Sequence, residues 1–190
     1  MNLLFGYTIL EKIGETDRSA TYRGLRENGN DTVIIKVLNL VRPSSAENAR
    51  LRQEYENIRQ LNLPGTLAIY DIIDHPKGIA LVMEDFKGIL LSEYMENTPI
   101  DVTAFMKLAG SVTDALGRIH QHGIVHGYLS PHCILVHPVT REIKINGFAA
   151  YPEGELPETP SKSLLYRSPE HTGRLNRKLD ERTDINSQAV

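Results

Sequence analysis

The chain has 190 residues, 41% of them apolar, and a formal net charge of −3 at pH 7. This length and composition are ordinary for one globular domain, or for two small lobes that share a core. Acidic and basic residues are interspersed, which argues against a nucleic-acid partner or an anionic membrane surface. A single cysteine, Cys133, excludes an internal disulfide framework and fits a reducing compartment. No stretch approaches the roughly 18 apolar residues of a membrane span, and the apolar N-terminal run is too short for a signal sequence, so we expect a cytoplasmic chain without membrane insertion.

The first 86 residues predict five strands and one helix, with the helix placed after the third strand. Three alternating runs, YTILEKI, ATYRGL and TVIIKVLNL, precede the helix, and TLAIYDIID and GIALVMED follow it. The turn Asn28–Asp31 places Asn-Gly between two such runs, which is a strong hairpin signal. The helix is predicted over Ser44–Leu61, with Ser45 as its N-cap and Pro64 just beyond its end.

The remaining residues are mainly helical in pattern. A short helix is predicted over Leu90–Glu96, and Asp101 caps a long one that runs to His122. Apolar residues repeat at helical spacing along this long helix, which predicts that its apolar stripe packs in a core. Further on, Tyr151–Ser163 is rich in proline and glutamate and predicts a flexible acidic segment. The predicted apolar stripe consists of Val102, Phe105, Met106, Ala109, Val112, Leu116 and Ile119.

The stretch His120–Val136, HQHGIVHGYLSPHCILV, resembles the catalytic loop of protein kinases. The family signature there is His-Arg-Asp-Leu-x-x-x-x-Asn, in which the Asp accepts the substrate hydroxyl proton and the Asn holds magnesium. His126 and Leu129 stand at matching places. The positions that depart from the signature are Gly127 for the Arg, Tyr128 for the Asp and Cys133 for the Asn, and Ser130 stands where a Lys is usual.

Other kinase motifs occur along the chain in the same order as in the family. Those that would contact a nucleotide precede the catalytic-loop stretch. Val33-Ile34-Ile35-Lys36 resembles the Val-Ala-Ile-Lys strand, whose Lys contacts the α and β phosphates. The resemblance implies Glu54 as the partner of Lys36, with Glu56 close enough to compete, and a glycine-rich phosphate loop of which only Gly14 remains. The residues that would border the base are Met83 as gatekeeper and Glu84, Asp85 and Phe86 as the hinge.

Two further motifs lie beyond the catalytic loop. Gly147-Phe148-Ala149 stands where the family has Asp-Phe-Gly, so the Asp that holds magnesium is replaced by Gly147. Neighbouring Asn146 offers only one neutral oxygen to a hard cation. Ser168-Pro169-Glu170 matches Ala-Pro-Glu, and the run that contains Asp184 resembles the start of the central helix of the carboxy-terminal lobe.

Together these motifs resemble a degenerate serine/threonine protein-kinase domain. The resemblance implies an α+β, bilobal fold with a five-stranded N-lobe at 1–86 and a mainly helical C-lobe at 87–190 that stops at its central helix. The segments RQEYENIRQLNLPG, LVMEDFKG and YRSPEHTGRLNRKLDERTD are most similar to the amino-terminal kinase-like domain of large bacterial signalling proteins. In those proteins an AAA-type ATPase region, a GAF domain and a sensor histidine kinase follow. The implied partners are therefore such domains or another protein.

A metal site is the alternative for the histidine-rich part of this stretch. Histidine and cysteine side chains form many zinc sites, but their spacing here repeats no known pair of ligands. We therefore expect no metal site. The residues concerned are His120, His122, His126, His132, Cys133 and His137.

Three functions remain open at this point: an inactive regulatory or interaction domain, an active kinase that binds ATP, and a truncated fragment without its own function. The missing base and magnesium ligands favour the first of these, a pseudokinase. We therefore expect no required cofactor, weak ATP binding if any, and no magnesium.

Overall fold

The computed structural model of the chain describes residues 3–15, 19–26, 31–39, 45–75, 78–147, 163–172 and 179–188. The chain divides into two compact units, the first formed by Met1–Asn62 with Leu67–Phe86 and the second by Leu63–Thr66 with Lys87–Val190. The short segment Leu63–Thr66 belongs to the second unit because it pairs there with a strand: the Ile145 N–H donates to the Gly65 carbonyl at 2.7 Å.

The first unit is an antiparallel sheet with one helix. The five predicted strands and the inserted helix are confirmed, and a two-residue strand, β1, adds to one edge of the sheet. Of the predicted hairpin turn, residues 28–30 lie outside the described residues, but the strands on either side of it pair as expected, with Leu25 opposite Thr32. The order across the sheet is β1-β2-β3-β4-β6-β5. The elements are β1 (Leu3–Leu4), β2 (Tyr7–Glu15), β3 (Ser19–Arg26), β4 (Thr32–Asn39), α1 (Ser45–Leu61), β5 (Ile69–His75) and β6 (Gly78–Glu84).

Apolar side chains are buried on both faces of this sheet, and one hydrophobic cluster lies on the face that carries Val33. Val33 and Ile35 of β4 are buried, with Ile35 at 0% exposure, and they cluster with Tyr7 and Val82. Alternate residues of a strand point to opposite faces. Ile34 and Lys36 therefore belong to the other face, where their cross-strand neighbours Met83 and Leu81 are also buried.

The second unit combines helices with a small three-stranded sheet of order β7-β8-β9. The predicted cap of the long helix is confirmed, because the Asp101 carboxylate accepts a hydrogen bond from the Ala104 N–H at 2.7 Å. No helix among the described residues is long and apolar enough to cross a membrane. The elements are β7 (Ile89–Leu90), α2 (Leu91–Asn97), α3 (Val102–Gln121), β8 (Ile134–Val136), β9 (Ile143–Ile145) and α4 (Glu181–Gln188).

The prediction that the whole apolar stripe of α3 is buried is wrong at the first turns of the helix. Val102, Phe105 and Met106 are 79%, 53% and 63% exposed, whereas Val112, Leu116 and Ile119 are buried together with Leu108 and Ala115. The segment Leu63–Thr66 packs against a later turn of the helix: a Cβ atom on Gly65 would come within 2.6 Å of the Ala115 Cβ. Helical periodicity identified the apolar face, but it did not show how far along the helix a neighbour would cover it.

Candidate functional site

The first unit carries the residues predicted to meet a nucleotide, and Lys36 lies on the sheet face opposite the cluster of Val33 and Ile35. Its neighbours across the sheet are Thr21 on β3 and Leu81 on β6. Glu54 lies on α1, but its side chain is outside the described residues. The Lys36–Glu54 ion pair therefore stays a prediction.

The phosphate-loop position Gly14 lies near the end of β2, opposite Thr21. A Cβ atom at Gly14 would meet nothing within 4 Å, so the local packing does not require glycine there. Residues 16–18, which include the second place of the glycine motif, lie outside the described residues. Ser19, at the third place of the motif, begins β3 and pairs with Leu38.

The gatekeeper and hinge positions follow directly from β6. Met83 is buried and pairs with Ile34 on one side and with Ile69 on the other. The Glu84 N–H donates to the Ala68 carbonyl at 2.9 Å, and the Ala68 N–H donates to the Glu84 carboxylate at 3.3 Å. Phe86 is the last residue of the first unit. Against β4 the strand thus continues in register up to Glu84, at the start of the predicted hinge, whereas against β5 the register shifts between Ile69 and Asp71.

An ion pair that the sequence did not reveal anchors this hinge to the sheet. The Arg23 Nε donates to the Asp85 carboxylate at 2.9 Å, and Asp85 is only 2% exposed. The same guanidinium also contacts Glu11, its cross-strand neighbour on β2. Arg23 and Asp85 are 62 residues apart in the chain, so local patterns give no signal for this pair.

In the second unit, the framework of the catalytic loop is built around Asp184 of α4. This carboxylate is fully buried, and it accepts hydrogen bonds from the His126 N–H at 2.8 Å and from the Gly127 N–H at 2.7 Å. His120 of α3 is its third partner, with Nε2 at 2.9 Å. One carboxylate therefore holds the backbone of the loop and the end of α3 together.

His126 is buried and held at both ring nitrogens. Nε2 donates to the Asn146 carbonyl at 2.9 Å, and Nδ1 accepts from the Tyr128 N–H at 3.3 Å. One donor and one acceptor define a neutral ring. Burial lowers the pKa of His126 from its ordinary value, although the hydrogen bond to Asn146 and the nearby Asp184 charge oppose that shift. His126 is thus a structural histidine that links the loop to the chain after β9.

The chemical positions of the loop are occupied by residues that differ from those of the family signature. Tyr128 stands at the place of the catalytic base, and a phenol is protonated at neutral pH. Gly127, at the Arg place, has φ of +79°, a conformation that L residues with side chains rarely adopt. The loop therefore keeps its path without the Arg and Asp side chains of the family.

The two positions that bind magnesium in the family come together in space. A Cβ atom on Gly147 would lie 3.6 Å from the Cys133 Sγ. That thiol donates a weak hydrogen bond to the Tyr128 carbonyl at 3.5 Å. The Asn146 side-chain oxygen, the remaining neutral candidate, accepts from the Gly147 N–H at 2.8 Å. Magnesium prefers several oxygen ligands, so a thiol and a glycine do not fit it.

The remaining histidines of the sequence cluster have separate partners. The His132 Nδ1 lies 3.0 Å from the Ser92 Oγ, and the His137 Nδ1 accepts from the N–H of Thr140 at 3.1 Å. The His122 Nδ1 lies 2.8 Å from the Arg118 carbonyl. Among the described residues, no group of three or more His, Cys, Asp or Glu side chains is placed to hold a metal ion.

The order of the strands and the position of the loop correspond to a known protein family. The family model described as protein kinase domain matches residues 7–190. The chain therefore belongs to the protein kinase domain family. Among solved structures, the chain is similar to the crystal structure of the Mycobacterium tuberculosis PknI kinase domain, with a TM-score of 0.72 over 99% of this chain and 73% of that chain. At 19% identity, this likeness shows the fold alone.

Curated relatives carry the names of serine/threonine kinases. The chain is 29% identical over 176 residues to the probable serine/threonine-protein kinase PknB of Lactococcus lactis subsp. lactis (strain IL1403), covering 86% of this chain and 27% of that protein. It is 29% identical over 132 residues to the serine/threonine-protein kinase PrkC of Bacillus subtilis (strain 168), covering 68% of this chain and 20% of that protein. The chain thus spans about a quarter or less of the length of these relatives.

Proposed function

We propose that the chain is a pseudokinase: a kinase-like module that transfers no phosphate and serves as a regulatory or protein-interaction domain of a signalling protein. One observation carries the proposal. The loop framework around His126 and Asp184 is intact, while the places of the base and of the two metal ligands hold Tyr128, Cys133 and Gly147.

The expected loss of rate is large. A general base contributes roughly 10²- to 10⁴-fold to the rate, and a catalytic metal contributes several kcal/mol of charge stabilisation. Kinases turn over at about 1 to 100 per second. Losing both contributions leaves a rate close to background.

Nucleotide binding is proposed to be weak and independent of magnesium. Lys36 supplies one positive charge toward the inner phosphates, whereas a triphosphate carries about four negative charges. The glycine motif retains only Gly14 of its three glycines, and side chains at the other places hinder close approach of the backbone to phosphate. The pair of residues at the metal positions, Cys133 and Gly147, offers no carboxylate to a magnesium ion.

A regulatory role within a longer protein is supported by the relatives that the chain matches in part. The PknB relative is much longer than the region matched here. The sequence of Tyr166–Asp184 is similar to that of the amino-terminal kinase-like domain of large bacterial signalling proteins. This similarity also supports a kinase-like domain within a longer protein. The acidic segment predicted over Tyr151–Ser163, which lies outside the described residues except for Ser163, is the proposed contact region.

An active kinase is the second candidate, favoured by the match at Lys36 and by the names of the relatives. Incubation with radiolabelled ATP and either magnesium or manganese separates the two. We expect no label on the protein or on generic protein substrates. Labelling by the native chain that is lost in Lys36→Ala, and is absent from a mock purification, would establish the active kinase instead.

A further inference from the structure

The sheet face that carries Lys36 also carries Ile34, two residues earlier on β4. Val33 and Ile35 point into the core on the opposite face. Because side chains alternate along a strand, Ile34 and Lys36 share the face away from that core. Ile34 is half-buried there.

Strand register shows what lies beside these two residues. The row through Lys36 contains Gly14, Thr21 and Leu81, which is the row nearest the phosphate-loop position. The row through Ile34 contains Glu11, Arg23 and Met83. This second row lies between Lys36, the predicted phosphate contact, and the start of the predicted hinge after Met83. A base whose phosphates reach Lys36 and whose edge reaches the hinge must lie over Ile34.

Ile34 places a branched side chain on this row, between Arg23 and Met83. The family strand has Ala at this place, whereas Ile34 adds a branched side chain that is stiff at χ1. A planar ring needs contact distances of about 3.5 to 4.0 Å across its face. On one side of Ile34, Arg23 is held by Asp85 and Glu11, and on the other side Met83 is buried in the sheet. The neighbours therefore leave Ile34 little freedom to move aside.

We propose that Ile34 closes this surface of the sheet to a purine base, so that the chain rejects adenosine even when phosphate and metal play no part. The inference deepens the proposed function and rests on it for the location of the former nucleotide surface. It assigns the exclusion of the base to one side chain of the first unit, independently of the residues lost from the catalytic loop.

Adenosine is the probe that isolates this effect, because it carries no phosphate and needs no magnesium. Binding of radiolabelled adenosine is measured by equilibrium dialysis for the native chain, Ile34→Ala and Ile34→Val. Ile9→Ala is the matched control, since Ile9 packs against the core cluster on the opposite face. We expect no saturable binding by the native chain or by Ile9→Ala within the concentration range used. Ile34→Ala should bind saturably, with a dissociation constant at least about tenfold below the top of that range, and Ile34→Val should lie in between.

Circular dichroism and a thermal unfolding curve confirm that each variant is folded before its binding is compared. Native binding as tight as that of Ile34→Ala would overturn the proposal, and so would a folded Ile34→Ala and a folded Ile34→Val that bind no better than the native chain. Neither result depends on phosphate transfer. Failure here is therefore distinguishable from failure of the pseudokinase proposal, which the radiolabelled ATP assay tests.

Discussion

The sheet of the first unit and the catalytic loop of the second unit differ in what they retain of the kinase pattern. The sheet keeps Lys36 at the place of the family's phosphate-contacting lysine, but Ile34 stands where the family strand has Ala. The loop keeps His126, which holds backbone in place, and has replaced the groups that act on substrate and metal. This difference shows that the residues that build a catalytic loop are separable from those that perform its chemistry.

The physical basis of that separation is the position of the buried charge. Asp184 accepts hydrogen bonds from the backbone N–H groups of His126 and Gly127, contacts that make no use of the side chain at position 127. Replacement of the Arg and Asp of the family signature by Gly127 and Tyr128 therefore leaves this anchor intact. Three predictions test the anchor, a replaced position and His126, and a fourth measures a helix cap outside the loop for comparison; the largest expected effect comes first.

Removal of the Asp184 carboxylate, which anchors the loop, should lower the free energy of unfolding the most. In Asp184→Ala the N–H groups of His126 and Gly127 lose a buried, charged acceptor, and we expect the free energy of unfolding to fall by about 3 to 5 kcal/mol. Urea denaturation measures the change. Glu181→Ala is the control, because Glu181 is exposed on the same helix. If the free energy of unfolding falls by the same small amount in both variants, Asp184 does not anchor the loop.

Restoring a family residue at a replaced position should destabilise the second unit. Gly147 has φ of +88°, so Gly147→Asp should lower the free energy of unfolding by about 1 to 2 kcal/mol through backbone strain. A Cβ atom there meets Cys133 only at an ordinary contact distance, so steric overlap adds little. Gly14→Ala, in open space in the first unit, should change stability less. Equal stability of Gly147→Asp and the native chain would contradict this account.

Acidification should lower the free energy of unfolding because His126 is buried as a neutral ring. Its pKa is lowered in the folded state, so the folded chain is favoured above the ordinary histidine pKa of about 6.5. As the pH falls below that value the unfolded chain binds more protons, and stability is lost by up to about 1.4 kcal/mol per pH unit. Unfolding free energies at pH 7.5 and pH 5.5 test this. The loss should be smaller in His126→Asn and unchanged in His132→Asn, whose native side chain is exposed.

The smallest change in stability is expected at Asp101, the N-cap of α3, which has no role in the catalytic loop. Asp101→Ala removes the acceptor for the Ala104 N–H and should cost about 1 kcal/mol. Asp101→Ser, which retains a capping oxygen, should recover most of that loss. A cost for Asp101→Ala as large as that for Asp184→Ala would show that stability measurements on this unit do not single out the loop anchor.

Much of the framework could be predicted from the sequence, because it depends on local patterns. Alternating apolar residues predicted the strands, and Asp101 marked the start of α3. The exposed Phe105 and Met106 were predicted to be buried, since periodicity cannot show where a neighbouring segment ends. Long-range partners left no local signal: Asp184 bonds to His126 across 58 residues, and Arg23 reaches Asp85 across 62.

The candidate site was predictable to the extent that it followed a motif. Comparison with the signature identified Tyr128, Cys133 and Gly147 as departures from the kinase pattern. It did not show that the last two face each other, since that contact depends on how β8 and β9 pair. The size of Ile34 was visible in the strand motif, but its consequence needed the strand register that places it beside Arg23 and Met83.

The central claim is that the chain keeps a kinase framework without metal-dependent chemistry, and the magnesium dependence of nucleotide binding tests it most directly. Thermal unfolding is measured with ATP alone and with ATP plus magnesium. A ligand present at 100 times its dissociation constant should stabilise the chain by about 2.7 kcal/mol. The account predicts a small shift or none with ATP, and no further gain from magnesium. A large shift that requires both, and is lost in Lys36→Ala, would contradict it.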